Sequence, residues 1–131
     1  MSSNPINIKL SQDPISIKIH IPNTPQLTAG KVFQFNPDNS RWFSIGLFNN
    51  HPNNSNMKLL LGMPDKLNKT YFFINGIVFH FQDSTPSSFQ VIIEIFQGQK
   101  SIYQISPQDG GSGMIKDTDI FYTFEFQLII S

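Results

Sequence analysis

Nearly every apolar run in this chain alternates with a period of two. In ISIKIHI, Ile15, Ile17, Ile19 and Ile21 fall on one side, and Ser16, Lys18 and His20 on the other. In DIFYTFEFQLII, Ile120, Tyr122, Phe124, Phe126, Leu128 and Ile130 share one side. Successive residues of a strand point to opposite faces, whereas a helix repeats at spacings of three and four. The pattern therefore specifies half-buried strands. PINIKL aligns Ile6, Ile8 and Leu10. KVFQFN sets Phe33 and Phe35 against Val32, Gln34 and Asn36, with Gln34 and Asn36 expected to face outward. RWFSIGLF sets Phe43, Ile45 and Leu47, expected inside, against Trp42, Ser44, Gly46 and Phe48. FQVIIEIF is apolar on both sides apart from Gln90 and Glu94, so it reads as a central strand. MKLLL is too short to assign, and SIYQIS follows a turn at QGQK.

The segments between are rich in Pro, Asn, Asp, Gly and Ser: SQDP, PNTPQLTAG, NPDNS, NNHPNNSN, GMPDKLNK, QDSTPSS and SPQDGGSGMIKD. Each of these residues favours turns for its own reason. No run supports a helix of three turns. Roughly ten short strands at this spacing predict one antiparallel β-sandwich or jelly roll spanning residues 1–131. In YFFINGIVFHF, residues 71–81, Asn75-Gly76 sits between two alternating runs. Both central residues of a type I′ turn need φ > 0, so the pair predicts a two-residue hairpin. That register places Phe72, Ile74, Ile77, Phe79 and Phe81 inside. It leaves Tyr71, Phe73, Val78, His80 and Gln82 on a mixed second face.

Composition narrows the chemistry. The formal net charge is zero, charged residues are 14% of the 131, and no basic stripe stands out, so nucleic acid is not the expected partner. There is no cysteine, hence no disulfide framework and no thiolate nucleophile. MSSNPINIKL does not read as a signal peptide, and no apolar run approaches the roughly 18 residues of a membrane span. The expectation is a cytoplasmic protein, or one secreted without a signal peptide. The sequons at Asn53 and Asn68 are then expected to stay unmodified.

Motifs for catalysis are missing. There is no G-x-S-x-G elbow, and His20, His51 and His80 stand in no metal-binding spacing. GGSG at 110–113 lacks the Lys-Ser/Thr of a phosphate loop and reads as a flexible loop. DTD at 117–119 lacks the Gly and Glu of a calcium loop and reads as a solvated strand start. No metal and no cofactor is expected. Glu94 stands out on an apolar strand, where an edge or partly exposed position is the simpler reading and a buried functional acid the alternative. What is present is Trp42 beside the small Ser44 and Gly46, with amide and imidazole groups on other outward positions. Sugar rings stack C–H groups on aromatics and offer hydroxyls to directional partners, so such a platform suits carbohydrate. Packing at a sheet end is the competing role for Trp42.

Three fragments, in order, resemble galectin motifs. VFQFNPDN, residues 32–39, resembles the strand carrying H-x-N-P-R: Asn36 and Pro37 match, while the His falls on Gln34 and the Arg on Asp38. RWFSIGLFNN, residues 41–50, resembles the following strand, with Asn49 at its conserved-type asparagine. MPDKLNKTYFFINGIVFHF, residues 63–81, resembles the segment ending in F-x-V-x-V-N-G-x-H. The W-G-x-E motif has no counterpart in HPNNSNM, residues 51–57. The resemblance, over about residues 14–97, implies a galectin-like β-sandwich. With Asp38 in place of the Arg, it implies an altered glycan specificity.

These readings converge on a non-enzymatic, lectin-like domain that binds a glycan or glycoprotein. The expected contacts are Gln34, Asn36, Asp38 and Asn49, with Trp42 added independently of the resemblance. The alternative is a structural or protein-interaction sandwich. A homodimer paired through an edge strand fits either reading.

Overall fold

A computed structural model describes residues 4–22, 26–51, 57–81 and 85–131. The chain is an all-β sandwich. Its strands are β1 (Asn4–Ile8), β2 (Ile15–His20), β3 (Thr28–Asn36), β4 (Arg41–Asn49), β5 (Leu59–Gly62), β6 (Thr70–Val78), β7 (Ser87–Gln90), β8 (Ile92–Gln97), β9 (Lys100–Ile105), β10 (Ser112–Ile115) and β11 (Ile120–Ile130). A 3₁₀ turn, Pro64–Lys66, precedes β6. One sheet has the order β1-β11-β6-β3-β4, the other β5-β2-β8-β9, and β10 pairs with β7 in a two-stranded ribbon. All ladders are antiparallel except β1 on β11.

The alternation of β2 and β11 is realised as read. Ile15, Ile17, Ile19 and Ile21 are buried from the second sheet, and Tyr122, Phe124, Phe126 and Leu128 from the first. They meet Ile6, Ile8, Phe72, Ile74, Val78, Ile93 and Ile95 in one continuous core. Each such side chain taken fully from water contributes about 1.5–3 kcal/mol. Leu10, grouped with Ile6 and Ile8 in the sequence, lies past the end of β1 and is exposed.

The Asn75-Gly76 hairpin does not form. β6 runs straight through both residues, paired with β3 on one side and β11 on the other. The reason is packing. Gly30 and Gly76 oppose each other across β3 and β6. Phe48 opposes Gly30 from β4, and Tyr122 opposes Gly76 from β11. Each ring occupies the space that a side chain on its glycine would need. Gly76 is therefore a place where an aromatic ring closes onto backbone, not a turn. The Tyr122 hydroxyl lies 2.6 Å from Thr28 Oγ1, which donates to the Ile77 carbonyl at 2.7 Å. Thr28 has one proton to give, so tyrosine is the donor of the first bond. Without a turn, Gly76 and Val78 join Phe72 and Ile74 on the core side, and Tyr71, Phe73, Asn75 and Ile77 share the outer side. Gln82, assigned to the mixed face, lies outside the described residues.

The two faces of β4 also differ from expectation. Val32 opposes Gly46 but Phe33 opposes Ser44, so Ile45 is an extra, bulged residue. A bulge resets the alternation. Trp42 and Ser44 face out, while Gly46 and Phe48 face in, and Phe43 and Leu47 are exposed at 44% and 64%. On β3, Thr28 and Val32 are the buried residues, while Phe33 and Phe35 are only half-buried and lie on the outer side. Two further expectations are revised. FQVIIEIF breaks at Val91 into β7 and β8, of which β8 is a central strand. GGSG is half loop and half strand: Gly110 takes φ 77°, and Ser112 and Gly113 pair with β7.

Substitutions at the glycine pair test this reading. Gly76→Ala should lower stability by about 1–3 kcal/mol through overpacking against Tyr122. Asn75→Thr separates strand from turn. In a type I′ turn a β-branched residue with φ > 0 is strongly unfavourable. In exposed strand it should be neutral within about 0.5 kcal/mol, or stabilising. Denaturant titration of both variants reads the difference.

Candidate functional site

The outer face of the five-stranded sheet carries an aromatic cluster. Phe33 on β3 opposes Phe73 on β6, and Phe73 opposes Glu125 on β11. Phe35 opposes Trp42 across β3 and β4. The Trp42 and Phe35 ring centroids are 5.2 Å apart, edge to face. Trp42 lies 5.9 Å from Phe73, and Phe33 lies 6.2 Å from Phe73, both tilted. These are favourable aromatic geometries. All four rings are half-buried. Among Phe33, Trp42, Phe73, Asn75 and Glu125 opens a groove of about 330 Å³. That lies at the small end of ligand sites, roughly 300–1,000 Å³. The groove offers apolar ring surface, one carboxylate and one amide.

Of the five residues expected to touch ligand, Trp42 lines this groove and the other four do not. Gln34 alternates with Phe33 and Phe35 and lies level with Phe72, on the sheet's other side. Asn36 accepts the Asp38 backbone N–H at 2.9 Å and shapes the β3–β4 turn. Asp38 sits in that turn, exposed. Asn49 accepts the His51 N–H at 3.1 Å at the far end of β4. It is eight residues from Arg41, the partner of Asn36, or roughly 26 Å along the strand. Sequence reading missed Phe33 and Glu125. Both follow from strand register, which alternation alone does not supply.

The other sheet has a polar cluster on its outer face. Glu94 is only 9% exposed although β8 is a central strand, so the simpler edge reading is overturned. Its Oε2 accepts from Ser101 Oγ at 2.6 Å and Gln104 Nε2 at 2.7 Å. His20 Nε2 is 3.4 Å from its Oε1. Burial alone would raise the Glu94 carboxyl, but the bonds from Ser101 and Gln104, and His20 beside it, outweigh that and hold it below its usual value. Burial, and next the Lys18 ammonium, push His20 below 6.5 against the opposing pull of Glu94. Ser101 gives its proton to the carboxylate, and no hydrogen bond joins it to His20 among the described contacts. The nucleophile–base link of a triad is thus not formed. The cluster ties β2, β8 and β9 together. Elsewhere, Asp119 Oδ1 accepts the His80 N–H at 2.7 Å. No three His, Asp or Glu gather among the described residues, and no described helix is long and apolar enough to cross a membrane.

Compared with protein-family models, curated proteins and solved structures, the chain matches none of them. The resemblance to galectins therefore rests on the three sequence fragments alone.

The polar cluster sets a pH dependence. The fold holds His20 neutral where the unfolded chain would bind a proton, so stability rises with pH up to about 6.5 and falls below it. The depressed Glu94 stabilises above its unfolded value of 4.5 and loses that contribution as pH falls further. Urea midpoints should drop steadily from pH 7.5 to 4. His20→Gln should remove the part of the decline beginning near pH 6.5 and leave the lower part.

Proposed function

We propose that this protein is a non-enzymatic carbohydrate-binding domain whose site is the aromatic groove on the outer face of the five-stranded sheet. One observation carries the reading: Trp42, Phe33 and Phe73 converge outward, with Asn75 and Glu125 at their edge. Packing the core between the sheets does not account for tryptophan and phenylalanine rings on the outer side of β3, β4 and β6. Rings beside a carboxylate and an amide match the two surfaces of a pyranose. The apolar C–H face stacks, and the hydroxyls donate to Glu125 and exchange bonds with Asn75. Neither contact needs a metal or a net charge. In this reading any kinship with galectins lies in the sandwich, and the sugar face is built from different strand positions.

A second reading has its own observation. Leu47 and Phe121 lie on the same outer face and are 64% and 69% exposed. Apolar side chains at that exposure favour a contact with another protein or a second copy of this chain. A glycan array probed with the purified protein separates the two. Binding to a defined glycan class, reduced at least tenfold by Trp42→Ala and unaffected by Asn36→Ala, is the expected result. A folded protein that binds no glycan, and sediments as a dimer dispersed by Leu47→Asp, would replace the lectin reading with the second.

A further inference from the structure

The aromatic groove does not end at Glu125. A second depression, of about 480 Å³, shares Phe73 and Glu125 with it. It continues past Thr123 to Ser106, Gln108 and Asp109 in the loop between β9 and β10, with Asn4 at its side. Among the described residues, β1 joins β11 from Asn4 opposite Phe126 onward. Nearer the start of β11 the 106–111 loop closes on the strand, with Gly110 against the Phe121 carbonyl. Asn4 Nδ2 donates to the Glu125 carbonyl at 3.0 Å and fixes the corner.

We infer that the two depressions form one extended site with two subsites, built for a neutral oligosaccharide of at least two linked sugar units. The inference rests on the carbohydrate reading and specifies its ligand. Three parts of the geometry support it. From β4 to β11 the floor crosses three inter-strand spacings, roughly 14 Å before the loop is reached. That is longer than one sugar ring. The chemistry changes along the length: aromatic rings at the β4 end, then Glu125, then hydroxyl, amide and carboxylate groups at the loop. One unit would stack on Trp42 and Phe73, and the next would hydrogen-bond to Gln108 and Asp109. Glu125 lies between, able to accept hydroxyl protons from both. The charge is also selective. Glu125 and Asp109 line the site and, among the described residues, no Lys, Arg or His does, while Lys31 stands opposite the groove residue Asn75. Sialylated, sulfated or uronic chains would meet two carboxylates.

Calorimetric titration of the intact protein with neutral mono-, di- and trisaccharides of a class chosen from the array tests this, with matched chains bearing one carboxylate. The expected result is at least a tenfold gain in affinity from one unit to two. The combined substitution Gln108→Ala and Asp109→Ala should abolish that gain. The acidic chain should bind at least tenfold more weakly than its neutral counterpart, and Glu125→Gln should narrow that difference. Circular dichroism melts confirm that each variant is folded. Equal affinity for one and two units, or an unchanged gain in the loop variant, would overturn the two-subsite assignment while leaving sugar binding in place. A preference for the acidic chain would overturn the neutral ligand. No binding of any saccharide by the folded protein would overturn this inference together with the reading beneath it.

Discussion

The closure of two aromatic rings onto two glycines holds the larger sheet in register. Gly30 and Gly76 lie side by side on the fourth and third strands of the sheet, and Phe48 and Tyr122 cover them from either flank. Glycine in a strand is costly because it adds backbone freedom and brings no side chain. Here the missing side chains admit rings that would otherwise have no room, and both rings are buried. A slip of one residue in β3 or β6 would drive a ring into a side chain. The Tyr122 hydroxyl, donating to Thr28, adds a polar check on the same alignment. With β3 and β6 fixed, Phe33, Phe73 and Glu125 must fall in one row on the opposite side. The outward cluster is thus a consequence of inward packing.

The sheets are stabilised differently. The first relies on rings: Phe72 and Phe126 stack at 5.2 Å and Phe124 and Phe126 at 6.0 Å. The second has aliphatic isoleucines inside and a hydrogen-bonded carboxylate outside. Removing Ser101 or Gln104 would leave Glu94 short of donors in a setting where burial already disfavours its charge. Lys58 Nζ, 3.8 Å above the Phe96 ring, covers another part of that face. A depression of about 500 Å³ at the β8–β9 end of this sheet, among Lys9, Gln97, Lys100 and Ile102, carries no aromatic ring, unlike the groove of the first sheet.

Alternation carried most of the fold. β2 and β11 were legible because each is apolar on one side and polar on the other over many residues. β4 was not, because RWFSIGLF is apolar on both sides and its bulge at Ile45 switches the faces halfway. The Asn-Gly pair misled for a physical reason. Its preference for φ > 0 is a local property, and a ring arriving from a strand more than forty residues later decides the outcome. Trp42 was legible as an outward aromatic, but Phe33 was assigned inward, since phenylalanine beside glutamine normally marks the core side. The second depression was not legible in the sequence, because it depends on how the 106–111 loop lies against β11.

The place of β11 has a consequence for how the chain is made. Among the described strands it comes latest in sequence, yet in space it lies between β1, the earliest of them, and β6. Until it emerges, β6 has a bare edge, Gly76 has no ring over it, and Ile6 and Ile8 have no neighbour to pair with. Domains whose contacts join distant parts of the chain fold slowly and expose strand edges while incomplete. A chain still lacking β11 would thus offer the β6 edge to any other strand able to pair with it.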